Sequence, residues 1–355
     1  MSTATKKNEK KQIAIDSTNG GNGDVWMRLV GFYAMAGLLP GLKIEVLIPP
    51  FLRSLARFTF GDRLSIVENG FEKIKLQYSG LGLRDLLKGI AKGNRYVMPY
   101  QRAVIHDKKN RLVKDSLNIM LFNIANVFGL VHLPAWNYIT LYQGYLDVIG
   151  IPAFKKIGYD QFVTQLKADY KHIYAKLQHN VPVSPPLNLP YDLQLNTLVF
   201  PTGTSRQFIP AWWAKAYLPD AYYAFFFKDK DALKFEELGL KIIYFYEQPG
   251  DIILLSQQAG WTISTDSFPS HLLQYASKRC TITITEVLQS RIISPVFEGL
   301  VVDSQVSCHP CLHLDRKNHP TCVAGYTECI NWKHEKYIAD ILKSVPSIAL
   351  NDFAG

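Results

Sequence analysis

Apolar residues in this chain come in short blocks divided by polar and glycine-rich breaks. "QIAID" is a strand-like run that leads into "STNGGNG". The block "DVWMRLVGFYAMAGLL" is apolar nearly all round, as a helix buried against a sheet would be. Pro40-Gly41 ends it, and "KIEVLIPP" reads as the next strand. Strand, helix and strand in so short a span form a βαβ unit and predict a parallel sheet. From about residue 85 to 180 the pattern is mainly helical and rich in aromatics. A second alternation starts at "NTLVFP". It continues through "PAWWAKAYL", "AYYAFFF", "FEELGL", "KIIYFYE", "DIILLSQQA", "WTISTD", "PSHLLQYAS" and "CTITIT". That order predicts a second doubly wound α/β domain.

Between the two alternations lies "NVPVSPPLNLPYDLQ", with four prolines from 182 to 190. Proline at that density breaks regular structure and stiffens a connection. The domain plan is therefore a disordered tail over 1–11, an N-terminal domain over 12–182, a linker over 183–190 and a C-terminal domain over 191–355. The chain has 355 residues, a length that suits two domains.

Composition adds less. Hydrophobic residues make up 48% and charged residues 19%, a globular balance. A formal net charge of +9 favours anionic partners: nucleotides, nucleic acid or an acidic membrane surface. The polar, lysine-rich start has no secretory apolar segment behind it, and no apolar run reaches the roughly 18 residues of a membrane span. The expected location is the cytoplasm, with peripheral contact at the inner face of the membrane left open. The oligomeric state is open too.

Five places carry candidate chemistry. The first is the turn Gly21-Asn22-Gly23 followed by Asp24. Glycines there allow positive φ and a close approach of ligand to backbone. Asp24 sits at the start of a helix, where it either caps the helix or faces a ligand. No G-K-[ST] is present, and Trp26 stands where a G-x-G-x-x-G would need its third glycine. The second is "FPTGTSRQFIPAWW", a loop before a helix expected to start at Pro210. Thr202, Gly203, Thr204, Ser205 and Arg206 could wrap an anion, or Arg206 could be a solvated arginine. The third is "WTISTDSFPSH". Asp266 ends a strand, Ser267 is a candidate N-cap, Pro269 suits a first helical turn, and Phe268, Ser270 and His271 fill that turn. The fourth, Asp229-Lys230-Asp231, has the form of a D-x-D metal–diphosphate site but reads better as a charged surface loop.

The fifth is Cys308-x2-Cys311, then Cys322 and Cys329, within residues 305–332. Four cysteines closed within 22 residues have the spacing of a small tetrahedral site for zinc or iron, with no open position for a catalytic water. His309, His313 or His319 could replace one of them. Cys280 stands apart and reads as core.

In order and spacing these motifs resemble the heptosyltransferase-like glycosyltransferase family of GT-B fold. Gly23-Asp24-Val25 is similar to its N-terminal G-D-x turn, "TGTSRQFIP" to its anion loop, and "DSFPSH" to its D-[ST]-G-x-x-H signature. Phe268 stands at that signature's glycine. Within the family, the bacterial autotransporter heptosyltransferases resemble this chain most in their four-cysteine finger. The resemblance implies two Rossmann-like domains facing across a cleft, with a metal knuckle in the second. It implies inverting transfer of a sugar from a nucleotide-diphosphate donor to a hydroxyl on a glycan, glycolipid or protein. Asp24 would be the general base and the second-domain loops the donor site. No catalytic metal is implied beyond the structural zinc or iron. Two alternatives stand beside it. One is a metal-dependent transferase using Asp229 and Asp231. The other is a nucleic-acid-binding protein with a four-cysteine knuckle. Nucleic acid is the less expected partner, because Asp315 and Glu328 dilute the charge around the cysteines.

Overall fold

The computed structural model describes residues 11–18, 21–68, 104–106, 159–184, 189–202, 208–226, 229–245, 248–286, 289–309 and 329–345. Of these, 11–18, 27–68, 104–106 and 159–169 form one compact unit, and 21–26 with 170 onward form another.

The first unit is built on a four-stranded sheet. Its strands are β1 (Lys11–Asp16), β2 (Leu42–Leu47), β3 (Leu64–Val67) and β4 (Val104–His106), in the order β3-β2-β1-β4. β1, β2 and β3 run parallel, and β4 is antiparallel to β1. The predicted βαβ unit is present: Lys11 pairs with Leu42 and Asp16 with Leu47. Its helix, α1 (Asn22–Leu38), is buried on almost every side, through Leu29, Val30, Phe32, Tyr33, Ala34 and Met35. Buried with them is Arg28, which the apolar pattern did not foretell.

Helix α2 (Pro50–Phe60) was not read from the sequence, although its signals are clear. Pro50 opens it, Leu52, Leu55, Ala56, Thr59 and Phe60 form its buried stripe, and the Gly61 N–H donates to the Arg57 carbonyl at 2.9 Å. Of the region expected to be mainly helical, residues 85–103 and 107–158 lie outside the described residues. β4 is a strand within it, and α3 (Tyr159–Leu177) is helical. On α3 the buried Asp169 takes an ion pair from Arg63 at 2.7 Å and a hydrogen bond from Gln165 at 2.9 Å.

The second unit holds a six-stranded sheet, parallel throughout. Its strands are β5 (Thr197–Phe200), β6 (Tyr222–Phe226), β7 (Lys241–Phe245), β8 (Trp261–Thr265), β9 (Cys280–Thr283) and β10 (Leu300–Val302). The helices are α4 (Ala211–Tyr217), α5 (Lys230–Glu237), α6 (Gly250–Gln258), α7 (Phe268–Leu273), α8 (Gln289–Ile292) and α9 (Glu335–Ser344). β10 and α9 continue the alternation beyond the last element read from the sequence. β9 is buried at every position, and β8 at all but its first, as in a sheet covered on both faces.

Strand order across this sheet is β7-β6-β5-β8-β9-β10. In units of the sheet's own sequence that is 3-2-1-4-5-6, the doubly wound order. One face rests on a core of Val199, Trp213, Ile263, Trp332, Tyr337 and Ile341. Trp332 makes edge contacts with Trp213 and with Tyr337, at centroid distances of 5.3 and 5.5 Å.

Two turns show why particular residues stand where they do. Gly239 follows α5 with φ +68°, and Leu240 N–H returns to the Phe235 carbonyl at 3.1 Å, a Schellman ending that favours glycine. At the start of the proline segment, Ser184 donates its N–H and its hydroxyl to the buried Asp251 carboxylate, each at 2.7 Å. Gly250 is needed beside it, because a Cβ there would lie 1.9 Å from the Pro182 carbonyl oxygen.

Candidate functional site

In the doubly wound order the chain leaves β5 toward β6 and β7, and then returns to β8 on the other side of β5. The carboxyl ends of β5 and β8 are therefore the switch point of the sheet, the place where doubly wound folds bind their ligands. β5 and β8 are direct neighbours, with Phe200 opposite Ser264. The strands that lead into the two loops singled out in the sequence thus end side by side at the switch point.

The first loop is pinched at its base, where Ile209 N–H donates to the Pro201 carbonyl at 2.9 Å. Thr202 is half-buried at its start. Gly203, Thr204, Ser205 and Arg206 lie outside the described residues. Pro210 is the residue before α4 rather than its first turn, with φ −65° and ψ 142°; the helix starts at Ala211.

After β8 the chain turns at Asp266 and Ser267 into α7. Ser267 is the N-cap residue as predicted, and Pro269 stands in the first turn. The Ser267 N–H donates to Ser270 Oγ at 3.2 Å, and Ser270 Oγ donates back to the Ser267 carbonyl at 2.8 Å. This fixes the turn that carries His271. The imidazole is buried, with Nε2 3.1 Å from Asp266 Oδ1. Its Nδ1 is buried with no hydrogen-bond partner among the described residues. With a proton on Nε2, the Asp266 carboxylate orients the ring and Nδ1 is left as an acceptor. A second proton would make Nδ1 a donor. Phe268, half-buried, opens the helix where the resembling signature has glycine.

Residues 21–26 belong to this same unit. The helix begins at Asn22, inside the predicted turn rather than after it. Asp24 Oδ2 accepts the Gly21 N–H at 3.0 Å, and Val25 N–H donates to the Gly21 carbonyl at 3.1 Å. So Asp24 does act locally at a helix start, and it is half-exposed there. The expectation of positive φ is corrected: neither Gly21 nor Gly23 has it. Close approach is the reason for Gly23, since a Cβ at that position would lie 2.3 Å from His271 Cδ2. Sequence reading treated these two residues as parts of separate motifs; the fold puts one against the other. Glu286, fully buried just beyond β9 at the same end of the sheet, was also missed. Its only signal was an acid closing the run "TITITE".

Asp229 and Asp231 form no surface loop. Asp229 is the N-cap of α5 and accepts the Asp231 N–H at 3.0 Å. Asp231 pairs with Lys234 at 3.0 Å on the exposed face.

Cys308 is exposed and Cys329 is buried, packed in the core with Trp213 and Trp332. Cys311 and Cys322 lie outside the described residues. The feet of the segment are tied together. Gln305 N–H donates to Asn331 Oδ1 at 3.0 Å, and Asn331 Nδ2 donates to Ser304 Oγ at 2.6 Å. Among the described residues no three His, Cys, Asp or Glu side chains converge as a metal site would require. Cys280 is core, as read, and burial pushes its thiol up to about 12. No described helix is long and apolar enough to cross a membrane.

No family model matches the chain, and no curated protein matches its sequence. Among solved structures it is similar to a glycosyl transferase family 9 protein from Veillonella parvula, at 10% identity and a TM-score of 0.48, covering 95% of this chain and 97% of that one. It is similar to Escherichia coli heptosyltransferase WaaC with ADP, at 12% identity and 0.41, covering 82% and 93%. It is also similar to the E. coli ADP-heptose lps heptosyltransferase II, at 11% identity and 0.42, covering 95% and 98%. Likeness at these values carries no argument about activity.

Proposed function

We propose that this chain is an inverting glycosyltransferase that moves a sugar from a nucleotide-diphosphate donor to a hydroxyl on a glycan, glycolipid or protein. The observation that carries this reading is the switch point of the six-stranded sheet. There β5, which leads into Thr202, neighbours β8, which leads into the Asp266–His271 pair. A diphosphate leaving group suits such a place, with backbone N–H groups, loop hydroxyls and the Arg206 fork to take up charge as it departs. Asp24, in the same unit, is the candidate base. The acceptor oxygen bonds to the anomeric carbon, the bond from that carbon to the diphosphate oxygen breaks, and the acceptor proton passes to the Asp24 carboxylate. The motif resemblance favours a heptose-type donor.

In this reading the four cysteines, Cys308, Cys311, Cys322 and Cys329, hold one structural zinc or iron. The tied feet at Ser304, Gln305 and Asn331 suit a loop closed on a tetrahedral ion. The ion is given no part in the reaction. Asp229 and Asp231 serve α5 as cap and surface ion pair, so the metal-dependent alternative gains no support.

Asp24→Asn is the deciding experiment. Asparagine can still accept the Gly21 N–H and caps about as well as aspartate. It cannot take up the acceptor proton. Turnover should fall by a factor on the order of 100 to 10,000, with melting temperature and donor binding unchanged. Wild-type turnover in the variant would reduce Asp24 to a helix cap.

A further inference from the structure

Parallel strands have two unlike ends. The Asp266–His271 pair lies at the carboxyl end of β8; Trp261 and Cys280 mark the amino ends of β8 and β9, roughly 15 Å away along a five-residue strand. At the amino end there is a cavity of about 460 Å³. The last turns of α3 and α6 and the residues just after α7 border it, and it opens to solvent. Tyr174, Gln178, His179, Gln257, Lys278 and Arg279 form most of its lining.

The cavity has fixed walls. Gln178 Nε2 donates to the Ala276 carbonyl at 2.9 Å, and Gln257 Nε2 to the Leu177 carbonyl at 2.8 Å. Arg279 Nη2 donates to the Gln257 carbonyl at 3.2 Å. Each bond joins two of the three bordering segments. The volume falls within the range of small-ligand sites, about 300–1,000 Å³.

Its chemistry is that of an anion site. Lys278 and Arg279 supply two positive charges, and among the described residues the carboxylate paired there is Glu298, on Lys278. The Lys278 ammonium also lies 5.3 Å from the centre of the Tyr174 ring, which holds it over the cavity wall. Arg279 has five N–H donors, one of which serves the Gln257 carbonyl; its planar fork matches two phosphate oxygens. Gln178 and Gln257 are held by the wall bonds, and Ser277 and His179 add polar groups.

We propose that this cavity binds a phosphate group, carried on a soluble phosphate ester or on an anionic lipid headgroup. The proposal is independent of the transferase reading, since it uses none of the residues at the carboxyl end of the sheet.

The test uses the full chain saturated with ADP, so that a site at the carboxyl end is occupied. Inorganic phosphate is titrated calorimetrically. In parallel, the protein is co-sedimented with phosphatidylcholine vesicles with and without phosphatidylglycerol. Arg279→Glu should weaken whichever binding is seen by about tenfold or more, since a charge-assisted contact is lost and a repulsive one gained. Arg279→Gln, which can still donate to the Gln257 carbonyl, should show a smaller loss and covers the case in which charge reversal disturbs folding. Loss confined to inorganic phosphate identifies a soluble ester as ligand; loss confined to phosphatidylglycerol vesicles identifies a headgroup. If the wild type binds neither probe, or both variants bind as the wild type does, the proposal is overturned.

Discussion

Gly23 and Gly31 stand on the same helix and should answer the same substitution with opposite signs. Alanine in place of glycine normally stabilises a helix by about 0.5–1 kcal/mol. At Gly31 a Cβ would meet nothing within 4 Å, so Gly31→Ala should show that gain as a higher melting temperature. At Gly23 the Cβ would lie 2.3 Å from His271 Cδ2, and the ring cannot yield cheaply because it is buried and bonded to Asp266. Overpacking of this kind costs about 1–3 kcal/mol, more than the propensity gain. Gly23→Ala should lower the melting temperature and, on the proposed function, weaken ADP binding as the ring leaves Asp266. A Gly23→Ala protein as stable as Gly31→Ala would mean that His271 does not lie against the first turn of α1. The residue types at both motifs were legible in the sequence. Their contact was not, because a steric reason for glycine depends on a partner some 250 positions away along the chain.

At the scale of elements, strongly patterned pieces were legible and short or late ones were not. β5 to β9 and their helices announced themselves by alternating apolar blocks and breakers. β10 is three residues long, too short for a period to register. α2 and α9 carry helical stripes, Leu52, Leu55, Ala56, Thr59 and Phe60 in one and Tyr337, Ile338 and Ile341 in the other. The strand order was only implied, yet it is what puts the end of β5 beside the end of β8, Phe200 opposite Ser264. Cys308 is exposed, so as a free thiol it should alkylate readily at neutral pH, whereas a metal-bound thiolate reacts slowly. Protein purified without a metal-affinity column should contain about one zinc or iron per chain, and iodoacetamide should label Cys308 only after chelation. Fast labelling of Cys308 before chelation, with neither metal present, would sink the metal proposal. Cys280 should stay unlabelled in both states while the fold persists, because it is buried in β9.

For the whole molecule, alkaline pH is the condition that exposes how the core is built. Burial pushes the Cys280 thiol from 9.0 up to about 12. It pushes Tyr170 from 10.0 up to about 12, with Glu298 and Tyr174 adding to the effect. Burial, with the Asp192 carboxylate bonded to its hydroxyl, does the same for Tyr222. Tyr223 and Tyr337 are raised further by burial alone or chiefly so. In each case the neutral, protonated form is the one the fold accepts, so the folded state holds its proton to higher pH than the unfolded chain does. The stability these groups contribute is complete below about pH 9 and is lost as pH rises toward 12. Lysines titrate near 10.4 in the same window, which reduces the positive charge of the chain. Nearly all the lysines among the described residues are exposed in the fold, as they are in the unfolded chain, so their proton loss largely cancels between the two. The urea midpoint should therefore fall steadily from about pH 9 upward, and tyrosinate absorbance should show a fraction of the 19 tyrosines ionising only as the fold is lost. Cys280→Ala should flatten the first part of the fall, between about pH 9 and 10, where the unfolded thiol ionises ahead of the tyrosines. A urea midpoint that is level or rising across this range would mean that these side chains are not buried as the fold places them.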